Sequence, residues 1–205
     1  MNDAEIRQNF HRKVLRRQHA RNDTLVIDEL GLNHGKCRAD IAVVNGQFLG
    51  YEIKSDNDTL RRLEEQIKSY NAVFDKISII VGDRHVNSVQ SHIPEWWGVI
   101  MSTKGPRGAI NFETVRRART NKSIDPISMA RLLWRDEAAE ILTQKEVSRK
   151  ILSQPRAILY EHLAEMLSIC ELRRLVRMYL KKRKNWRCPE SPSRYGDSYQ
   201  PSPML

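Results

Sequence analysis

The segment Arg38-Ala-Asp-Ile-Ala-Val-Val-Asn-Gly-Gln-Phe-Leu-Gly-Tyr-Glu-Ile-Lys54 constrains the fold of this chain more than any other. Two apolar, β-branched runs flank Asn45-Gly46, a strong short-range turn signal, and so predict an antiparallel hairpin. Asp40, Glu52 and Lys54 lie inside those runs. Burying ions is costly unless they pair with one another or coordinate a metal. A divalent cation held over a phosphodiester is the economical explanation of such a trio.

Glu52 and Lys54 are two apart on one strand and share a face of the sheet. Whether Asp40 joins them depends on the turn. A two-residue loop sets Val44 against Gln47 and turns Asp40 away. A three-residue, bulged loop sets Val44 against Phe48 and Asp40 directly opposite Glu52. The chemistry predicts the second register, with a positive φ at Gly46 or its neighbour. Two carboxylates whose Cβ atoms lie roughly 4.5–5.5 Å apart would repel, and one would keep its proton. Mg²⁺ between them removes the conflict and suits hard oxygen ligands. It could polarise a phosphoryl oxygen or a bound water, with Lys54 stabilising the transition state or positioning the attacking water. Glu-x-Lys by itself carries no weight, because a solvent-facing pair on a strand explains it equally well.

Apolar spacing predicts an amphipathic helix over residues 3–20 and a strand over 24–30. After the hairpin it predicts a helix over 60–74 capped by Asp58 or Thr59, and a strand over 76–81. A short helix over 84–92 and strands over 97–101 and 109–112 complete the pattern. The class is α/β, with a mixed sheet and helices on its faces. Residues 1–112 form this core, and 113–126 read as a basic linker. Residues 127–186 are helical in pattern, near 127–142, 146–153, 155–167 and 169–186. The Pro- and Ser-rich stretch 187–205 reads as disordered.

The formal net charge of +10 is uneven. Residues 111–205 hold 19 Lys/Arg against 11 Asp/Glu, a net of +8. Such a basic half fits a polyanion, since each neutralised phosphate releases counterions; a surface kept soluble by charge fits it too. Cys37, Cys170 and Cys188 are widely spaced, without a CxxC pair, and read as reduced thiols rather than a disulfide frame or zinc site. No apolar run is long enough to span a membrane, and the N-terminus has no signal-peptide pattern, so the expected address is cytoplasmic.

Strand-borne Asp40, a hairpin, then Glu52-Ile-Lys54 within an α-β-β-β-α-β order resembles the PD-(D/E)XK phosphodiesterase superfamily. More narrowly, Glu29-Leu-Gly, Arg38-Ala-Asp40-Ile-Ala, Gly50-Tyr-Glu-Ile-Lys-Ser55 and Leu133-Trp-Arg-Asp-Glu-Ala138 resemble an uncharacterised bacterial family of that type with a helical C-terminal extension. The resemblance implies a restriction endonuclease-like mixed sheet flanked by helices, followed by an all-helical extension. It implies hydrolysis of DNA phosphodiesters, more than RNA, with Mg²⁺ or Mn²⁺. Asp40, Glu52, the Ile53 carbonyl and Glu29 would hold the metal, Lys54 would be catalytic, and Gln66 with Tyr70 would match a Gln-x-x-x-Tyr pattern on the following helix. Ala39 departs from the proline of the motif. A homodimer would suit cleavage of two strands. The rival reading is a non-cleaving nucleic-acid-binding or regulatory module that keeps the fold.

For gripping nucleic acid, the candidates are Arg61, Arg62 and Tyr70 beside the site. Lys181, Lys182, Arg183 and Lys184 on the last helix join them, with Arg116, Arg117 and Arg119. Glu5 reads as a surface acid near a helix start, Asp56 and Asp58 as turn or cap residues, and Trp96 and Trp97 as packing against the sheet. His85 and His92 have no partner in pattern and read as structural or surface residues.

Overall fold

The computed structural model describes residues 1–183 and 186. Helices α1 (Asp3–Lys13) and α2 (Arg16–His19) precede strands β1 (Leu25–Leu32), β2 (Cys37–Val44) and β3 (Phe48–Lys54). Then come α3 (Leu63–Asn71), β4 (Lys76–Gly82), α4 (Val86–Val89), β5 (Gly98–Lys104) and β6 (Ile110–Arg116). The C-terminal part is helical: α5 (Pro126–Ala130), α6 (Arg135–Gln144), α7 (Arg149–Leu152), α8 (Arg156–Met166) and α9 (Ile169–Lys182). The six strands form one mixed sheet in sequence order. β1–β2–β3 is an antiparallel meander, β3–β4 and β4–β5 pair in parallel, and β6 returns antiparallel. Parallel pairs need a crossover, which α3 and then the α4 segment supply. The expected α/β class, a mixed sheet flanked by helices with a helical C-terminal part, is what the chain adopts.

The two faces of the sheet are covered differently. α1 lays Ile6 and Phe10 against Val26, Ile41, Val43, Ile53 and Ile80. On the other face α3 and the C-terminal helices share one continuous apolar core with the strands, from Ile77 and Ile79 through Tyr70 and Phe74 to Leu163, Leu172 and Val176. Gly50 belongs to that contact. A Cβ there would meet the Phe74 ring at 2.6 Å, so only glycine lets the ring lie on β3.

Several expected elements are shorter or divided. The helix over 3–20 ends at Lys13, because Leu15 turns inward to the core under α1, and α2 is one further turn. The helix after the hairpin starts at Leu63 without a side-chain cap, since the Asp58 carboxylate is engaged by the Ser55 N–H and hydroxyl at 2.8 and 2.6 Å. The helix over 127–142 is two helices: Asp125 caps α5, and the Leu133 carbonyl accepts from the Tyr160 hydroxyl at 2.9 Å instead of continuing the helix. β6 runs to Arg116, four residues into the stretch read as linker. α9 ends at Lys182, and the disorder read for 187–205 falls outside the described residues. No helix among the described residues is long and apolar enough to cross a membrane.

Candidate functional site

The hairpin takes the register that the chemistry demands. Val44 pairs with Phe48 and Ile41 with Tyr51, which sets Asp40 opposite Glu52. The loop Asn45-Gly46-Gln47 does not use a left-handed residue, so the positive φ expected at Gly46 or its neighbour is not found. Instead the Asn45 side chain accepts from the Gln47 N–H at 2.8 Å, and the Asn45 N–H donates to the Gln47 carbonyl at 3.0 Å. An asparagine side chain closing on the backbone two residues ahead does what a bulge glycine would otherwise do.

Glu52 is 1% exposed. Its Oε1 accepts from Lys54 Nζ at 2.6 Å and Gln66 Nε2 at 2.6 Å, and its Oε2 from the Tyr70 hydroxyl at 2.5 Å. Gln66 and Tyr70 reach it together because residues four apart share a helical face. The Tyr70 oxygen also accepts the Asp40 backbone N–H at 3.1 Å. Burial, and then the neighbouring Glu52, push the Tyr70 hydroxyl well above its ordinary pKa. Asp40 Oδ2 accepts from the Ile53 N–H at 2.7 Å. Burial and then Glu52 push the Asp40 carboxyl up to about 7, against the opposing pull of the Ile53 N–H and Arg7.

Arg7, which sequence reasoning passed over, completes the cluster. Its Nη2 lies 3.2 Å from Asp3, 2.8 Å from Glu29 and 3.2 Å from Asp40, and its Nη1 donates to the Asp40 carbonyl at 2.5 Å. The available signal was the four-residue spacing of Asp3 and Arg7 on the first helix. Glu29 stands opposite Asp40 on β1 in the left-handed region, φ 56°, and also meets Arg38 at 3.4 Å. A cleft of about 700 Å³ opens beside these groups, lined among others by Asp40, Ile53, Lys54, Arg62 and Gln66. Gln66 Oε1 is buried and has no hydrogen-bond partner among the described residues.

In the structure these acids are held by protein cations, Glu52 by Lys54 and Asp40 and Glu29 by Arg7. A hard cation needs several free oxygen ligands, and here the Arg7 guanidinium and Lys54 ammonium already occupy the acids. Among the described residues, no group of three or more His, Cys, Asp or Glu side chains is placed to hold a metal ion. Of the expected ligands, Asp40, Glu52, Ile53 and Glu29 do lie together, but as a hydrogen-bonded network closed by protein donors.

The expected nucleic-acid contacts scatter. Arg62 lines the cleft and Arg61 is not among its lining residues. Tyr70 is fully buried and cannot meet a partner. Lys181 donates to the Asp23 carbonyl at 2.6 Å, and Lys182 sits 5.0 Å above the Tyr179 ring. Arg183 is 7% exposed and forked onto Glu137, so it belongs to the interior; Lys184 lies outside the described residues. Arg116 is tied to the Trp97 and Pro94 carbonyls. Glu5 closes a capping box with Asn2, away from the site. Trp97 is buried under α3, with its indole N–H on Asn71 at 2.8 Å. Cys37 and Cys170 are free thiols.

A family profile described as Bacteriophage P4 protein cII matches residues 1–188, and the chain belongs to that family. Protein cII of Enterobacteria phage P4 is 26% identical over 161 residues, 78% of this chain and 60% of that protein. The chain therefore spans less than two thirds of that relative's length. No solved structure matches. The family match overturns the resemblance to the PD-(D/E)XK superfamily, and with it the reading of a metal-dependent nuclease. The physical reason is that strand-borne acids can be satisfied by protein cations without a metal, here Glu52 by Lys54 and Asp40 by Arg7.

Proposed function

We propose that this member of the bacteriophage P4 protein cII family is a non-cleaving nucleic-acid-binding or regulatory module built on a restriction endonuclease-like sheet. The observation that carries the reading is where its free charge lies. The strand-borne acids are paired internally, Glu52 with Lys54 and Asp40 and Glu29 with Arg7, while residues 111–205 keep a net of +8. Arg117, Lys122, Arg149, Lys150 and Arg174 of that half are exposed and make no ion pair among the described residues. Cations free of internal partners are the ones that release phosphate counterions. DNA rather than RNA, and a dimer on the nucleic acid, are the finer forms of this reading.

The test is fluorescence anisotropy of the full chain with labelled duplex DNA, single-stranded DNA and RNA, titrated at increasing salt. Binding should weaken steeply, by on the order of 10³-fold or more between 50 and 200 mM salt if six or more phosphates are contacted. Binding indifferent to salt, or strand cleavage in Mg²⁺ that Lys54→Ala abolishes, would end the proposal.

A further inference from the structure

The Leu133-Trp-Arg-Asp-Glu-Ala138 phrase lies away from the polar cleft. Trp134 is 60% exposed, although large aromatic side chains are normally buried for most of their area. It stands before α6, where its own N–H donates to the Glu137 carboxylate at 2.7 Å. The Arg183 guanidinium lies 4.3 Å from the centre of its ring. Arg183 is itself fixed, with two nitrogens on Glu137 and one on the Leu132 carbonyl at 2.8 Å. A clamped guanidinium on the ring holds the indole at a set angle, and the exposure comes from the rest of its surface.

Beside Trp134 is a pocket of about 360 Å³, between the end of β1 and the helical region. Arg131, Arg135, Arg156, Arg183, His34 and Tyr160 line it with Trp134, and among the described residues no aspartate or glutamate does. Arg131 and Arg156 make no ion pair among the described residues. His34 stacks on Tyr160 at 5.7 Å. Its imidazole is held below the usual value by burial and then by Arg156, Arg131 and Lys36, a second sign of a positive field. The volume is that of a small-ligand site.

We infer that this pocket is a docking site for single-stranded nucleic acid, with one base stacked on Trp134 and the adjoining phosphates held by Arg131 and Arg156. An aromatic platform recognises the π-face that every base carries, and unpaired guanidinium groups recognise the phosphates. Duplex DNA hides its base faces, so the pocket prefers the single strand. The inference rests on the nucleic-acid reading above and gives it a place and a strand form.

The test is anisotropy with a labelled oligothymidine and a duplex of equal length, using the full chain and the variants Trp134→Ala, Trp134→Phe and Arg131→Gln/Arg156→Gln. Circular dichroism checks that each variant folds. Loss of one stacked base should weaken oligothymidine binding about tenfold or more in Trp134→Ala, with Trp134→Phe keeping most of it. The double arginine variant should lose affinity and show a shallower salt dependence. If wild type binds the single strand and Trp134→Ala binds it equally well, the pocket inference falls and the function above stands. If wild type binds neither strand form, the pocket inference falls, and the function above is decided by the RNA arm of its own test. Displacement of the strand by polyglutamate, with polyglutamate binding lost in Trp134→Ala, would give the pocket to an acidic protein and overturn the inference.

Discussion

Two buried carboxylates anchor this sheet, and they are satisfied from opposite distances along the chain. Glu52 is neutralised by Lys54 and hydrogen-bonded by Gln66 and Tyr70, all within 18 residues. Asp75, which is also buried, accepts the Phe48 N–H at 2.7 Å and pairs with Arg173 and, at 3.9 Å, Arg177 on α9. The first cluster ties α3 to the hairpin, and the second ties the helical region to the sheet. A charge satisfied locally leaves a compact motif that reads as chemistry. A charge satisfied 98 residues away leaves no motif, although it holds the architecture together just as directly.

Removal of either acid tests the comparison. Glu52→Ala leaves Lys54, itself 10% exposed, buried without its counter-ion. It should cost roughly 3–5 kcal/mol of unfolding free energy. Asp75→Ala should cost less, roughly 2–3 kcal/mol, because Arg173 and Arg177 are 26% and 19% exposed and can turn toward water. Urea unfolding measures both. Hydrogen exchange should add a local signature, with faster exchange in α9 for Asp75→Ala and in β2 and β3 for Glu52→Ala. Equal costs with the same exchange pattern would mean that the two clusters are one cooperative unit.

A second contrast is in pH. The folded-state pKa of Asp40 is raised to about 7, above the ordinary 3.8, chiefly by burial and then by Glu52. A raised carboxyl favours the folded state while it is protonated. Its contribution is complete below the unfolded value, and it is lost as pH rises through the folded one. Between pH 5.5 and 8 this group alone should make the protein less stable by about 2 kcal/mol. His19, near His11 and Asp28, has a lowered pKa, caused by burial and then His11, and acts in the opposite sense on acidification. The informative quantity is therefore the wild-type curve minus that of Asp40→Asn. A flat difference would mean that Arg7 keeps Asp40 ionised throughout.

Much of the sheet was legible because its signals are local. Asn45-Gly46 and the demand that Asp40 oppose Glu52 selected the register. What failed was whatever tertiary partners decide. The break before α6 depends on Tyr160, and Arg183 reads as one of a basic run until Glu137 is found beneath it. The cluster itself was legible as a place but not as a chemistry. The residues that close it include Arg7, which arrives from the helix on the opposite face of the sheet.

Glu29 offers the smallest and sharpest test, because two effects can be separated there. Its carboxylate meets Arg7 and Arg38, and its backbone sits at φ 56°, where a side chain costs roughly 1–2 kcal/mol. Glu29→Gly and Glu29→Ala remove the same ion pairs, which are partly exposed and together worth about 1 kcal/mol or less. They differ in the backbone: glycine takes the left-handed conformation freely and alanine does not. Glu29→Gly should be close to wild type in stability, because strain relief and lost pairing offset, and Glu29→Ala should fall about 1 kcal/mol below it. Thermal unfolding of the two variants side by side reads that difference directly. If alanine proves as stable as glycine, residue 29 relaxes into an ordinary strand conformation. The position of Glu29 opposite Asp40 would then be set by the pull of Arg7 alone, and the polar cluster would be an electrostatic arrangement imposed on β1 rather than one built into its backbone.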